Sequence, residues 1–204
     1  MKKLMLMAAV AVFGLSNVGA QEADAPAFGF EKGNIILEGS LGLYSENDKN
    51  TEEKVSGFSF NPKAGYFVTE DFAVGLELGI GSYKEELAGT DTEKQSSFAA
   101  GVFGRYYFLD LGKRFKTFAE VGVDFGTVKY DLTDDKGKFV GAGVGLGINY
   151  FVKENIAITF NLSDVLSYTS RKWDGAEAVS EFNANINVLN NFFETAQFGL
   201  MYKF

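Results

Sequence analysis

Apolar and polar residues alternate along most of this chain, so that every second side chain is apolar over long runs. A period of two is typical of β-strands, because successive side chains point to opposite faces of a sheet. Eight such stretches follow one another, and we predict an all-β protein of eight antiparallel strands. They run approximately over Asn34–Tyr44, Val55–Phe67, Phe72–Tyr83, Ser96–Phe108, Phe115–Tyr130, Phe139–Phe151, Ile156–Tyr168 and Thr195–Phe204.

The two faces of these stretches differ in a way that indicates a membrane. One face holds uncharged, mostly apolar residues such as Leu76, Leu78 and Val102. A Lys or Arg on the lipid face of a barrel costs about 2–4 kcal/mol at mid-bilayer, so lipid requires a face of this kind. The other face holds many Gly residues and six charges that we predict to form a polar network: Glu38, Lys63, Glu77, Arg105, Glu120 and Asp124.

The position of the Gly residues decides which face is the interior. The sixth stretch carries Gly141, Gly143, Gly145 and Gly147 on its charged face. Such a row weakens a strand that faces water, but it provides space inside a narrow barrel crossed by bulky side chains. We therefore predict an eight-stranded up-and-down transmembrane β-barrel with Gly and charge inside. A soluble secreted, lipocalin-like lipid-binding barrel, with the apolar face inside, is the alternative.

The last stretch is the expected closing seam of the barrel. Its alternate residues are apolar or aromatic, and the chain stops on one of them. A closed barrel needs its last strand to pair with its first, because otherwise two edges stay open. The residues on this face are Phe198, Leu200, Tyr202 and Phe204.

The connections between the stretches alternate in length. Val68–Asp71, Leu109–Arg114 and Val152–Asn155 are short, whereas four polar and mostly acidic loops are longer: Ser45–Lys54, Lys84–Gln95, Asp131–Lys138 and Thr169–Glu194. Outer-membrane barrels have short periplasmic turns and longer external loops, so we expect both termini in the periplasm. Aromatic residues cluster at the short-turn ends and predict an interfacial girdle: Tyr66, Phe72, Tyr106, Phe108 and Tyr150, with Tyr202 and Phe204.

The first residues resemble a secretory signal. Met1-Lys2-Lys3 precedes an apolar run from Leu4 to Leu15, and Val18-Gly19-Ala20 supplies small residues for cleavage. The run is shorter than the roughly 20 residues that a spanning helix needs. We predict a signal peptide over residues 1–20, a polar periplasmic lead-in without periodicity over 21–33, and the barrel over 34–204.

Composition excludes several functions. The formal net charge is -8, so nucleic acid is not an expected partner. The chain also has 0 Cys and 0 His. Acid-base catalysis by the lumen carboxylates is conceivable, but a salt-bridged plug is the commoner role of buried charges. We predict no enzymatic activity, no cofactor and no metal. Asp131, Asp134 and Asp135 could hold a divalent cation, although solvated loop charge explains them better.

The region before the last strand admits two interpretations. Phe182, Ala184, Ile186 and Val188 alternate with polar residues. This segment could prolong the final hairpin above the membrane, which we favour slightly. It could instead form the upper half of the eighth strand, with Leu189–Phe193 as a bulge.

The signal, the eight alternating stretches and the ending Phe198-x-Leu200-x-Tyr202-x-Phe204 resemble the small porin-like outer-membrane β-barrel proteins of the OmpX and OmpA membrane-domain type. The resemblance covers the whole mature chain and is one of pattern. It implies that the terminal aromatic strand, notably Tyr202 and Phe204, is read by the barrel-assembly machinery. We expect no periplasmic domain like that of OmpA after the barrel, so a role in tethering the cell wall is not expected.

Two roles fit a membrane barrel of this size. The first is a structural or surface-interaction barrel with a plugged lumen, whose acidic loops meet an extracellular partner. The second is a narrow passive pore, although the interior of eight strands is easily filled by side chains. In either case the expected surroundings are the lipid bilayer and lipopolysaccharide of a Gram-negative outer membrane, and we expect a monomer.

Overall fold

The computed structural model describes residues 28–184 and 197–204, and these form nine antiparallel β-strands. The strands are β1 (Ile35–Asp48), β2 (Glu53–Phe67), β3 (Phe72–Leu87), β4 (Thr90–Leu111), β5 (Phe115–Tyr130), β6 (Lys136–Lys153), β7 (Ile156–Trp173), β8 (Val179–Ala184) and β9 (Gln197–Lys203). Among these residues, no helix is long and apolar enough to cross a membrane. The predicted signal peptide and most of the predicted lead-in lie outside the described residues and stay predictions.

The sheet closes on itself, which confirms the predicted barrel. Each strand from β1 to β7 pairs with the next, and β9 pairs with both β1 and β7. Tyr202 lies opposite Leu37 on one side and opposite Ile156 on the other. The terminal strand is therefore the seam, and eight strand positions surround the lumen.

The segment before the seam extends a hairpin. β8 pairs with the upper part of β7, from Leu166 to Arg171, while β9 pairs with its lower part. Within the described residues β8 has no pairing with β1. This arrangement fits both interpretations, a prolonged final hairpin and an upper half of the eighth strand, and does not decide between them. β8 and β9 also share one edge of β7, and the proposed bulge Leu189–Phe193 lies outside the described residues.

The strands extend further than predicted, which corrects all four of the long loops. In the predicted loop Thr169–Glu194, β7 continues to Trp173 and β8 begins at Val179. β3 and β4 reach Leu87 and Thr90, so only Ala88 and Gly89 connect them. Both have positive φ, 50° and 77°, as a two-residue type I′ turn requires. The connections 49–52 and 131–135 are similarly short. Above the membrane both strand faces meet water, so the hydropathy alternation ends although the backbone pairing continues.

The side chains face as predicted. Leu76 is 65% exposed and Val102 54% exposed on the outer wall, whereas Arg105 is 0% exposed inside. This facing excludes the soluble lipocalin-like alternative, which requires the apolar face inside. The interior glycines provide space, because a Cβ at Gly147 would collide with the Phe118 ring. An apolar cluster that includes Phe67, Phe118 and Phe151 fills the lumen near the short turns.

Candidate functional site

Arg105 occupies the centre of the charged lumen. It extends from β4, and its Nη1 and Nη2 donate to the two carboxylate oxygens of Glu38 on β1 at 2.8 and 3.1 Å. Its Nε donates to Glu120 on β5 at 2.7 Å. β1 and β5 lie on opposite walls of the eight-position barrel. One guanidinium therefore bridges two carboxylates across the lumen, in the bidentate geometry that arginine favours.

Uncharged polar groups complete a ring around this ion pair. The Tyr107 hydroxyl donates to Asn149 Oδ1 at 2.7 Å, and Asn149 Nδ2 donates to Thr159 Oγ1 at 2.7 Å. The Thr159 hydroxyl donates to Glu38 Oε2 at 3.1 Å. Buried polar groups need such partners, because an unpaired one costs about 1–3 kcal/mol. The ring ties β4, β6 and β7 to β1.

Lys63 adds two further carboxylates to the network. Its Nζ lies 2.5 Å from Glu120 and 2.8 Å from Glu77. The structure thus brings together five of the six predicted lumen charges. Asp124 is the sixth; it faces the lumen beside Gly141 but belongs to none of the ion pairs of the described residues.

An aromatic layer lies in the lumen between this network and the short turns. The Phe30 ring stacks on Phe67 with centroids 4.2 Å apart and lies 4.5 Å from Tyr107 and 5.3 Å from Phe151. On the other side of the layer, the Arg105 guanidinium lies 4.1 Å from the Phe118 ring centroid. The layer is continuous with the ion-pair network, so no gap separates the two among these side chains.

Phe30 belongs to the predicted lead-in, so the description of that segment as merely polar is wrong for its last residues. Hydrogen bonds hold it in the mouth: Lys203 Nζ donates to the Gly29 carbonyl at 2.7 Å, and Gly33 N donates to the Phe67 carbonyl at 2.8 Å. Arg114 covers the Phe28 ring at 4.6 Å. The available signal was the pair of phenylalanines, two residues apart, in an otherwise polar stretch.

The lumen is open in its other half. Above the network lies a cavity of about 390 Å³ that combines carboxylates, an ammonium group, amides and small residues. Its polar lining consists of Glu38, Ser40, Asn61, Lys63, Glu77, Asp124 and Asn161. Gly79, Ala99 and Gly101 line it as well and leave its space unfilled.

The predicted aromatic girdle residues lie on the outer wall near the short turns. Tyr66, Tyr106 and Phe108 are exposed there, and so are Phe72, Tyr202 and Phe204. Phe198 lies further from the short turns, opposite Phe160, and is also exposed. Tyr150 is half-buried against Phe115, with ring centroids 4.7 Å apart. Leu200, from the same face of β9, is 38% exposed.

The turn between β5 and β6 holds the acidic residues considered as cation ligands. Lys129 Nζ lies 2.8 Å from Asp134 and 3.7 Å from Asp131. The hydrogen bond from Lys129 holds the pKa of the Asp134 carboxyl below its ordinary value. Within residues 28–184 and 197–204, no three acidic side chains come together in a way that could hold a metal ion.

The family follows from the match of nearly the whole chain to one model. The model described as outer membrane protein beta-barrel domain matches residues 7–204. The chain belongs to this family of outer-membrane β-barrel proteins. Outer membrane porin F of Pseudomonas fluorescens is 23% identical over 155 residues, which are 74% of this chain and 48% of that protein. The chain thus spans about half the length of this curated relative.

A solved outer-membrane barrel has the same fold. The crystal structure of the outer membrane protein OprG from Pseudomonas aeruginosa aligns with a TM-score of 0.52 and 14% sequence identity. The alignment covers 86% of this chain and 98% of that chain. At this identity the likeness concerns the fold alone.

Within this family fold, the sequence located the charges but not their uncharged partners. Tyr107, Asn149 and Thr159 have ordinary strand identities, and only the closed barrel brings them within hydrogen-bond distance of Glu38. Their signal in the sequence is weak: each is a polar residue at an inward-facing position of its strand, close to a short turn.

Proposed function

We propose that this protein is a sealed outer-membrane barrel with a structural or surface-interaction role, and not a conduit. The observation that supports this most is Arg105, whose guanidinium binds carboxylates from opposite walls while buried completely. Breaking such a pair leaves uncompensated buried charge, at a cost of about 3–5 kcal/mol. A solute would have to displace this network and then the aromatic layer below it.

The proposed orientation places the short turns in the periplasm and the hairpins outside the cell. Asymmetry of turn length in outer-membrane barrels supports this placement. Phe30 and Phe204 both lie at the short-turn end, where Asn34 Nδ2 donates to the Phe204 carbonyl at 3.2 Å. Both described ends of the chain would then be periplasmic. In this orientation the terminal strand presents Phe198, Leu200, Tyr202 and Phe204 to lipid, and we propose that the assembly machinery reads it there.

The external hairpins are the proposed interaction surface. They are paired strands with short connections, and cross-strand ion pairs such as Lys84 with Asp91, at 3.0 Å, stabilise them. Most of their charges are acidic, which suits a basic or cation-bridged extracellular partner. We propose no enzymatic role, because the chain has 0 His and 0 Cys and its grouped lumen carboxylates already bind Arg105 or Lys63.

A narrow passive pore is the second candidate, and the cavity of about 390 Å³ in the hairpin half is the observation that favours it. Planar-bilayer recordings of the refolded protein separate the two. We expect no steady conductance from the wild-type protein. A stable single-channel current at neutral pH would contradict the sealed barrel and support the pore.

A further inference from the structure

The outer wall carries an ordered pattern beyond its apolar belt at the hairpin end. On five strands, the outward-facing positions read apolar residue, then Ser or Thr, then Lys, in the direction away from the belt. The triplets are Phe58, Ser56 and Lys54; Ile80, Ser82 and Lys84; Phe98, Ser96 and Lys94; Phe125, Thr127 and Lys129; and Tyr168, Ser170 and Lys172. On β6, Lys138 and Lys136 follow Val140 directly.

We call these seven lysines the lysine band: Lys54, Lys84, Lys94, Lys129, Lys136, Lys138 and Lys172. The strand register places several of them directly opposite one another. Lys84 faces Lys94, and Lys138 faces Lys172. Like charges opposite each other destabilise an antiparallel pair. In a chain of formal net charge -8, such a concentration of positive charge needs a reason.

Part of the lysine band lacks internal counter-charge. Lys84 and Lys129 bind hairpin carboxylates, and Lys54 lies 3.8 Å from Glu86. The other four members are exposed, and no ion pair among the described residues includes them: Lys94, Lys136, Lys138 and Lys172. They lie on β4, β6 and β7, on either side of β5, where Lys129 binds Asp131 and Asp134. One side of the outer wall therefore holds four lysines that belong to no ion pair of the described residues.

The backbone of the lysine band lies just beyond the headgroup layer, within reach of it for a flexible lysine side chain. Each triplet places Lys four residues beyond the last apolar side chain. At about 3.3 Å per residue and a strand tilt of about 40°, this is about 10 Å along the barrel axis. The headgroup layer extends about 5–8 Å beyond the hydrocarbon on each side, and Lys side chains bend back toward such an interface.

We propose that the lysine band binds the phosphate groups of lipopolysaccharide in the surrounding leaflet. The Ser and Thr hydroxyls beneath it would hydrogen-bond the sugar and phosphate oxygens of the same glycolipid. The phosphates neutralise facing lysines such as Lys138 and Lys172, which explains why the repulsion is tolerated. This inference rests on the proposed placement of the hairpin end in the outer leaflet.

The test uses the refolded full barrel in a zwitterionic detergent, titrated with phosphorylated lipopolysaccharide and, separately, with dephosphorylated lipopolysaccharide. The variant combines Lys94→Gln, Lys136→Gln, Lys138→Gln and Lys172→Gln. The control combines Lys32→Gln, Lys49→Gln, Lys113→Gln and Lys153→Gln, which removes the same charge from exposed positions outside the lysine band. Each lysine near an anionic surface strengthens binding about fivefold, so we expect binding at least about tenfold weaker in the variant. The control should stay within about twofold of wild type.

The single variant Lys138→Gln gives a second readout that does not depend on the quadruple variant folding. Without lipopolysaccharide its melting temperature should rise, because the repulsion from Lys172 is removed. With phosphorylated lipopolysaccharide its melting temperature should fall below that of wild type. Equal weakening in the control, equal binding of dephosphorylated lipopolysaccharide, or a fall in both conditions would overturn the inference. Failure of the proposed function would appear separately, as conductance or as an Asn50→Cys variant that a membrane-impermeant maleimide does not label on intact cells.

Discussion

The two halves of the lumen are built differently although the same barrel wall surrounds both. In the short-turn half, large side chains such as Phe118 and Arg105 meet at the axis and are almost completely buried. In the hairpin half, small residues such as Gly79, Ala99 and Gly101 leave a cavity of about 390 Å³. The two halves have the same number of strands, so the size of the inward-facing side chains accounts for this difference.

The largest expected effect comes from removing the bridge across the closed half. Arg105→Ala leaves Glu38 and Glu120 buried without their cation, so the free energy of unfolding should fall by about 3–5 kcal/mol. Asp124→Asn, in the open half, removes a carboxylate outside the described ion pairs and should cost less than about 1 kcal/mol. Urea unfolding in lipid vesicles measures both. Similar losses in the two variants would show that the halves do not differ as described.

A smaller effect is expected at the mouth. Phe30→Ala removes a ring that contacts Phe67, Tyr107 and Phe151, and it should lower the free energy of unfolding by about 1–3 kcal/mol. Phe28→Ala is the matched control, because Phe28 makes one tilted ring contact at 6.3 Å and stacks under an exposed Arg114. We expect a loss below about 1 kcal/mol for it. An equal loss at both positions, in the same urea titration, would argue against a specific seal by Phe30.

The smallest effect concerns the space that Gly provides. Gly147→Ala places a Cβ against the Phe118 ring in the closed half and should cost about 1–2 kcal/mol through overpacking. Gly57→Ala places its Cβ 3.7 Å from its nearest neighbour, in ordinary contact, and should be neutral or slightly stabilising. Melting temperatures of the two variants, compared with wild type, test this. A more damaging Gly57→Ala would refute the assignment of crowding to the contact between Gly147 and Phe118.

The sequence predicted the wall better than its contents, for a physical reason. Alternation records which medium each side chain meets, so strand position and facing follow for residues such as Leu76 and Glu77. The alternation disappears where both faces of a strand meet water. The paired strands at the hairpin ends were therefore predicted as loops. Contacts across the lumen, such as Tyr107 with Asn149, depend on how the barrel closes, and no local pattern encodes that.

The lead-in is a second region whose contacts the strand pattern could not predict. Phe28 and Phe30 belong to no strand, so strand periodicity could not place them, and their environment is created by Phe67, Tyr107 and Phe151 from three different strands. The closing seam, by contrast, was predictable because barrel closure constrains the last strand whatever its neighbours are.

The central claim is that the apolar face of each strand meets lipid and the charged face meets the lumen. Site-directed cysteine labelling tests it most directly, and a chain with 0 Cys gives no background labelling. Val102→Cys places a thiol on the outer belt, and Ala99→Cys places one in the cavity of the hairpin half. In lipid vesicles, a membrane-impermeant maleimide should modify Ala99→Cys readily and leave Val102→Cys unmodified. Rapid modification of Val102→Cys together with protection of Ala99→Cys would contradict the account.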